Sequence, residues 1–327
     1  GTKYVDGATF DNTGINFINT ADVSSITSIN AGDESDFIAG GVGGLTIDGG
    51  TGMDMYLTTP ASVDIVEDQV GYIISERGVT VALNANRVIY IKDGTEELVS
   101  NIEYFMGTLG DDLFYGSALH ATHIDASHTS ALQVFNGTGG KDEFFGAKDV
   151  YDLAGDLLEV VTAVDYDAMQ GGQGVIFILD GSDAATNAAV GSDELSLAKI
   201  SEFAGDYWEA TSWAGDGWLP SNDDILNSSG NFSTKSRYEN NDNATLILDT
   251  FGDTDLAFDI DHYIGSSEAD IFFGSNGNDS FDAGQGSGNF MSGGGGLDTL
   301  VVTDYNDVES DGNGGTKQDG ENLNLNS

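Results

Sequence analysis

A nine-residue motif recurs along this chain and constrains its fold more than any other feature. Three blocks run consecutively near the start: Ala31–Ala39 (AGDESDFIA), Gly40–Asp48 (GGVGGLTID) and Gly49–Leu57 (GGTGMDMYL). The last fits G-G-x-G-x-D-x-U-x at every defined position, U being a large apolar residue. Gly107–Tyr115 (GTLGDDLFY) and Gly137–Phe145 (GTGGKDEFF) fit with Thr at the second place. A second cluster comprises Gly265–Phe273 (GSSEADIFF), Gly274–Asp282 (GSNGNDSFD), Ala283–Met291 (AGQGSGNFM) and, after an inserted Ser292, Gly293–Val301 (GGGGLDTLV).

Each position has a physical reading. Gly permits the positive φ of a tight turn. Asp at the sixth place supplies a hard oxygen ligand, and a short strand follows with its eighth residue inward. Two blocks make one turn of a flattened coil, so equivalent loops stack every 18 residues. Asp36 and Asp54 have that spacing, and Asp279 and Asp298 are one residue further apart. Each pair places two carboxylates on one stacked edge, and turn carbonyls complete an oxygen shell, which is calcium chemistry. The candidate metal ligands are the carboxylates of Asp36, Asp54, Asp112, Asp125, Asp142, Asp270, Asp279 and Asp298. The turn residues Gly49, Thr51, Gly107, Gly137, Gly274, Asn276, Gly293 and Gly295 join them. Leu45 and Gly288 occupy the sixth place in two blocks, leaving those half-sites without a carboxylate; Asp270 is expected to stack over Gly288. Asp112 and Asp142 lack an Asp 18 residues away, which points to edge sites or irregular partners such as Asp125.

Charge gives a second reason to expect cations. With 55 Asp+Glu against 10 Lys+Arg the formal net charge is −45. A compact chain so charged repels itself, and bound divalent ions are an economical offset. Roughly ten Ca²⁺ would cancel about 20 charges. The same balance excludes nucleic-acid binding, which needs basic residues to displace counterions, and argues against anionic membranes. No apolar run is long enough for a membrane-spanning helix. Cys is absent, which excludes a disulfide framework, a thiol nucleophile and Cys-ligated zinc. The 39% hydrophobic content suffices for a core. Gly1 stands first, with no Lys/Arg-led apolar signal segment after it; the expectation is a processed product or a piece of a longer chain.

The blocks resemble the RTX, or hemolysin-type calcium-binding, repeats that build the parallel β-roll. Leu98–Gly116 (LVSNIEYFMGTLGDDLFYG) and Asp255–Gly274 (DLAFDIDHYIGSSEADIFFG) are similar to the family's apolar lead-in strand followed by G-[ST]-x-x-x-D-x-[FL]-x-G. The resemblance implies a mainly β fold in which parallel β-roll segments are joined by β-rich spacers, with a mixed α/β insertion. It also implies secretion by a bacterial type I route and a cell-surface or extracellular location. It does not give a function, because these repeats accompany toxins, enzymes, adhesins and surface layers.

The expected organisation is an N-terminal roll over 1–160 containing a β-rich spacer at 58–106, an insertion over 161–264, repeats over 265–303, and a polar tail or connection over 304–327. In the spacer, Val63–Val66, Gly71–Ile74, Val79–Leu83 and Val88–Ile91 read as strands, with turn chemistry at Asn84–Asn86 and Lys92–Gly94. Val150–Val164 and Asp193–Phe203 read as helix, Ser182–Val190 is Ala-rich, and Gly174–Leu179 reads as strand.

Other constellations have ordinary explanations. His120, His123 and His128 read as polar coil positions before they read as a metal site. Trp208, Trp213 and Trp218 read as a small core for the insertion, with an interface or a sugar-stacking platform as alternatives. Asp307-x-Glu309-x-Asp311-Gly312 opens like an EF-hand loop, but Gln318 stands where the bidentate Glu belongs. No nucleophile-elbow or zinc-protease motif is present. The expectation is a non-enzymatic calcium-binding structural protein of a surface layer, filament or adhesin, which associates with itself, other surface proteins or polysaccharide. The alternatives are an RTX exoenzyme acting on polysaccharide, or its calcium-binding portion, and a carbohydrate-binding adhesion module.

Overall fold

A computed structural model describes residues 15, 17–20, 27–41, 43–58, 64–68, 71–75, 78–90, 95–118, 130–148, 150–151, 157–167, 174–179, 245–251, 254–286, 289–301, 308–310, 316–318 and 322–324. They fall into two compact units, one formed by 1–164 with 259–261, the other by 165–258 with 262–327.

In the first unit the chain forms β1 (Phe17–Asn19), β2 (Ser28–Asn30), β3 (Phe37–Ala39), β4 (Thr46–Asp48) and β5 (Met55–Leu57). A hairpin of β6 (Asp64–Asp68) and β7 (Gly71–Ser75) follows. Next come β8 (Val79–Ala82), a 3-10 turn at Leu83–Ala85, β9 (Arg87–Tyr90) and β10 (Glu96–Ser100). The unit closes with β11 (Tyr104–Met106), β12 (Leu113–Tyr115), β13 (Ser130–Asn136), β14 (Glu143–Phe145), β15 (Val150–Tyr151) and β16 (Leu157–Asp165).

Successive repeat strands alternate between two sheets. One sheet runs β1-β3-β5-β11-β13-β16, all parallel. The other runs β2-β4-β10-β9-β8-β12-β14, parallel except where β9 pairs antiparallel with β8 and β10. Phe37 pairs with Met55 and Ser28 with Thr46, so the chain returns to each sheet after 18 residues. The last three residues of each early block are its strand, and the eighth residue is the core residue: Ile38, Ile47, Tyr56, Phe114 and Phe144 are all fully buried. In-register stacking turns this into continuous rows, with the Phe114 and Phe144 rings 5.1 Å apart. Each such side chain contributes roughly 1.5–3 kcal/mol of burial.

The expected spacer is more than a connection. Strands β8, β9 and β10 are built into the second sheet between β4 and β12. Of the helix expected over Val150–Val164, the described residues form strands instead, β15 and β16. The segment LLEVVTAVD is rich in β-branched residues, which favour strands. Val160, Ala163 and Val164 are all buried. A strand buried on both faces loses the polar/apolar alternation that distinguishes it from a helix.

The second unit contains β17 (Ile176–Ile178), β18 (Thr245–Leu248), β19 (Thr254–Phe258), β20 (His262–Ile264), β21 (Ile271–Phe273), β22 (Ser280–Asp282), β23 (Phe290–Ser292) and β24 (Thr299–Val301). After these come β25 (Val308–Ser310), β26 (Thr316–Gln318) and β27 (Asn322–Asn324). Strands β20-β22-β24 form one parallel run. In the other sheet β19-β18-β17 are antiparallel and β17-β21-β23-β27 parallel. Phe177 stacks on Phe272 at 4.7 Å, and Tyr263, Phe281 and Leu300 form the opposing row. The expected polar tail therefore holds a hairpin, β25–β26, and a strand that joins a sheet. Among the described residues there is no α-helix. The segments Ser182–Val190 and Asp193–Phe203, the three Trp, and His120, His123 and His128 lie outside the described residues.

Candidate functional site

The sixth-position aspartate sits two residues before the core residue of its strand and therefore shares its inward face. Asp36, Asp54, Asp112, Asp142 and Asp270 are all almost completely buried. Three of the repeat carboxylates accept the N–H of the second residue in their own turn: Asp112 Oδ2 from Thr108 at 2.6 Å, Asp270 Oδ2 from Ser266 at 2.8 Å, and Asp279 Oδ2 from Ser275 at 2.7 Å. Other bonds reach the adjacent coil. The Asp36 N–H donates to Asp54 Oδ1 at 2.8 Å, that of Asp112 to Asp142 Oδ1 at 2.8 Å, and that of Asp279 to Asp298 Oδ1 at 3.1 Å. The sixth positions thus form columns in which Asp54, Asp112, Asp142, Asp270 and Asp298 hold the backbone of the neighbouring coil.

This geometry explains the first Gly of the motif. A Cβ on Gly107, Gly137, Gly265 or Gly293 would run into the Oδ2 of Asp112, Asp142, Asp270 or Asp298 respectively. At Gly49 it would lie 2.6 Å from Asp54 Oδ2 and would collide with the Asn101 carbonyl. The second Gly has a different reason: Gly50 has φ +104°, and a Cβ there would strike the Gly32 carbonyl.

The remaining candidate positions are also placed. Thr51 donates its N–H to Gly32 O at 3.0 Å and its hydroxyl to Asp33 Oδ1 at 3.1 Å. The N–H groups of Gly274 and Gly295 donate to Ser292 O at 2.7 Å and Ser275 O at 2.9 Å. Asn276 is exposed. Asp125 lies outside the described residues.

Two register expectations are corrected. Asp270 does not stack over Gly288: its N–H donates to Asn289 Oδ1 at 2.7 Å. Ser292 is the last residue of β23, so the extra residue is Ala283 and the block begins at Gly284. Asp112 and Asp142 partner each other across 30 residues, because the coil between them carries a longer excursion.

Three acids outside the nonapeptide motif take the same structural role. Glu103 precedes Phe105 by two residues and accepts the Asp54 N–H at 2.7 Å. Asp261 precedes Tyr263 by two and accepts the Thr162 N–H at 2.8 Å. Glu97 precedes Val99 by two, is fully buried, and serves the block whose sixth place is Leu45. It accepts the N–H of Gly43 at 3.0 Å and of Gly41 at 3.2 Å, and takes a short hydrogen bond from the Tyr56 hydroxyl. The readable signal was an acid two residues before a core apolar residue, whatever the glycines did. Glu97→Leu is expected to strand those donors and cost about 2–4 kcal/mol of stability, read as a lowered chemical-denaturation midpoint.

Burial raises these carboxyl pKa values. Asp54, Asp112 and Asp270 are each pushed up to about 7, chiefly by desolvation. For Asp54 the carboxylates of Glu103, Asp36 and Asp48 add to the rise. Asp279 is raised for the same leading reason.

The donor atoms fit a hard cation unequally. Asp54 Oδ2 is buried without a hydrogen-bond partner and faces the Gly49 turn, onto which the Asn101 carbonyl also closes. At Asp112 and Asp270 both carboxylate oxygens already accept N–H or hydroxyl donors, and a cation there must displace some of them. Among the described residues no three His, Cys, Asp or Glu side chains converge as a metal-binding group. A shell at Asp54 would therefore draw on backbone carbonyls and water besides the carboxylate. Comparison with protein-family models and with curated proteins found no match.

Proposed function

We propose that this chain is an extracellular calcium-binding structural protein, a parallel β-roll that folds on Ca²⁺ and forms part of a cell-surface layer, filament or adhesin. The observation that carries the reading is the buried acidic column Asp36–Asp54–Glu103, in which Asp54 Oδ2 lacks a hydrogen-bond partner. A charged carboxylate in that position needs a counter-charge. Calcium takes six to eight oxygens in flexible geometry, which suits carboxylates mixed with turn carbonyls. Asp54 would hold the ion with turn carbonyls beside it, and the other repeat aspartates would follow where a cation displaces their N–H donors.

Extracellular modules bind calcium at about 10⁻⁴–10⁻³ M. At cytosolic calcium the column repels itself and the chain stays extended, which suits passage through a secretion channel. Outside the cell, binding free energy becomes folding free energy. The long parallel sheets give such a protein a supporting role, and its acidic surface favours contacts bridged by further divalent ions.

The test is a calcium titration of chelator-treated protein, following circular dichroism and light scattering together. The expected result is a β signal that develops through millimolar calcium, with scattering rising after it. An unchanged spectrum would remove the calcium reading. Folding without association would leave calcium as a folding cofactor and turn attention to polysaccharide binding. Asp54→Asn should remove about one bound ion, counted by calorimetry or a calcium indicator.

A further inference from the structure

The second residue of the nonapeptide divides the repeat turns into two kinds. Where it is Thr108, Ser266 or Ser275, its hydroxyl donates to the aspartate of its own block. The acceptors are Asp112 Oδ1 at 3.0 Å, Asp270 Oδ1 at 2.7 Å and Asp279 Oδ1 at 2.9 Å. The same hydroxyl accepts the N–H two residues further on, from Gly110 at 3.0 Å, Glu268 at 3.0 Å and Gly277 at 2.9 Å. The backbone N–H of that Ser or Thr bonds the other carboxylate oxygen. One residue therefore grips both oxygens of its aspartate and ties off the turn. Asp112 and Asp270 take a third donor each, the N–H of Val79 at 2.6 Å and of Val175 at 2.7 Å.

In the other kind the second residue is left-handed. Gly50 has φ +104° and Gly294 φ +83°. Thr138 shows that conformation decides as much as composition. It has φ +69°, and its hydroxyl turns onto the Thr108 carbonyl of the neighbouring coil, which commits its single proton. In the Gly50 block no hydroxyl is at hand. There Asp54 is completely buried, and its Oδ2 has no hydrogen-bond donor.

A cation needs bare oxygen within about 2.3–2.6 Å. At Asp112 and Asp270 three donors already fill most of the lone-pair directions of the carboxylate. An entering ion would have to expel the hydroxyl and leave the N–H groups it gathers without acceptors, which is costly under burial. We propose that the second residue of each block decides whether its aspartate takes a cation. The hydroxyls of Thr108, Ser266 and Ser275 stand in for the ion, and a left-handed glycine leaves the carboxylate open to it. The Asp112, Asp270 and Asp279 turns close without metal, and calcium enters open blocks such as that of Asp54. The inference rests on the calcium reading above and deepens it, by naming which aspartates bind and which residue selects them.

The experiment counts bound calcium on the full chain by equilibrium dialysis at about pH 8, above the raised carboxyl pKa values. Circular dichroism checks the fold of each variant. Asp54→Asn is expected to lose about one ion, and Asp270→Asn to keep the wild-type number. Ser266→Gly removes the hydroxyl and admits the left-handed turn, so it should bind about one ion more than wild type. Ser266→Thr keeps the hydroxyl and should leave the number unchanged. Adding Asp270→Asn to Ser266→Gly should abolish the extra ion, which places it at that carboxylate. Ser275→Gly, beside the less buried Asp279, repeats the gain should a change at Ser266 disturb folding. A folded Asp270→Asn chain that loses an ion overturns this inference and leaves the calcium reading standing. Folded Ser266→Gly and Ser275→Gly chains that both keep the wild-type number overturn it likewise. A wild-type chain that binds no calcium removes both.

Discussion

Gly137→Ala is expected to destabilise the protein by about 3–5 kcal/mol, a large part of the margin of an ordinary domain. The added methyl would occupy the place of Asp142 Oδ2 and lie 2.7 Å from its Cγ. The carboxylate cannot simply turn away, because its other oxygen holds the Asp112 N–H of the adjacent coil. Displacing it combines overpacking with loss of a buried hydrogen bond, each worth about 1–3 kcal/mol. The check is a double-mutant cycle in denaturant with Asp142→Ala. Removing the carboxylate makes room for the methyl, so the double variant should be at least about 2 kcal/mol more stable than additivity predicts. Additive costs would mean that the glycine serves backbone conformation alone.

The second large effect concerns acidity. Asp54, Asp112 and Asp270 have folded pKa values of about 7 against an ordinary value of 3.8. Between those limits the folded chain holds protons that the unfolded chain has released. Stability is therefore fully present below about pH 4 and is lost as pH rises towards 7. With about 1.4 kcal/mol per pH unit for each group, metal-free protein, which the calcium reading leaves unfolded near neutral pH, should regain β structure as pH falls from 7.5 to 5.5. Circular dichroism in chelator across that range would show it, and a β signal that is flat or falls towards acid would mean the carboxyls are not buried as described. With calcium the trend should invert, because a cation binds the deprotonated form and its addition near pH 7 releases protons. A pH electrode during the titration reads that release directly.

The strands of the repeats were legible because the motif encodes them twice. Gly-rich turns fix where each begins, and the eighth position fixes which residue enters the core. Ile38, Tyr56, Phe114 and Phe272 stand where that rule puts them. Legibility failed wherever one cue was missing. Glu97 lies in β10 and Glu103 immediately before β11, both outside the glycine motif, so their shared role with the aspartates was hidden. The link between Asp112 and Asp142 was hidden by a fixed-period rule that a longer excursion breaks. Ser292 was misassigned because Gly is plentiful around 284–296, so a one-residue shift still resembles the motif. Residues 150–164 were read as helix because apolar residues on both sides of a strand, here Leu157–Asp165, erase its alternation. The candidate site was half legible: the sequence located the carboxylates and placed them as ligands on a stacked edge. It did not reveal that they bond turn amides inside the core.

That bonding has a mechanical consequence. Each clasp ties a coil to its immediate neighbour, so pulling force is shared only between adjacent layers. A stretched molecule should then peel coil by coil. A lost layer returns about 18 residues of slack, roughly 6 nm of contour at 3.3–3.6 Å per residue. A protein that fails in such small, repeated increments dissipates load gradually, as a cord under tension must.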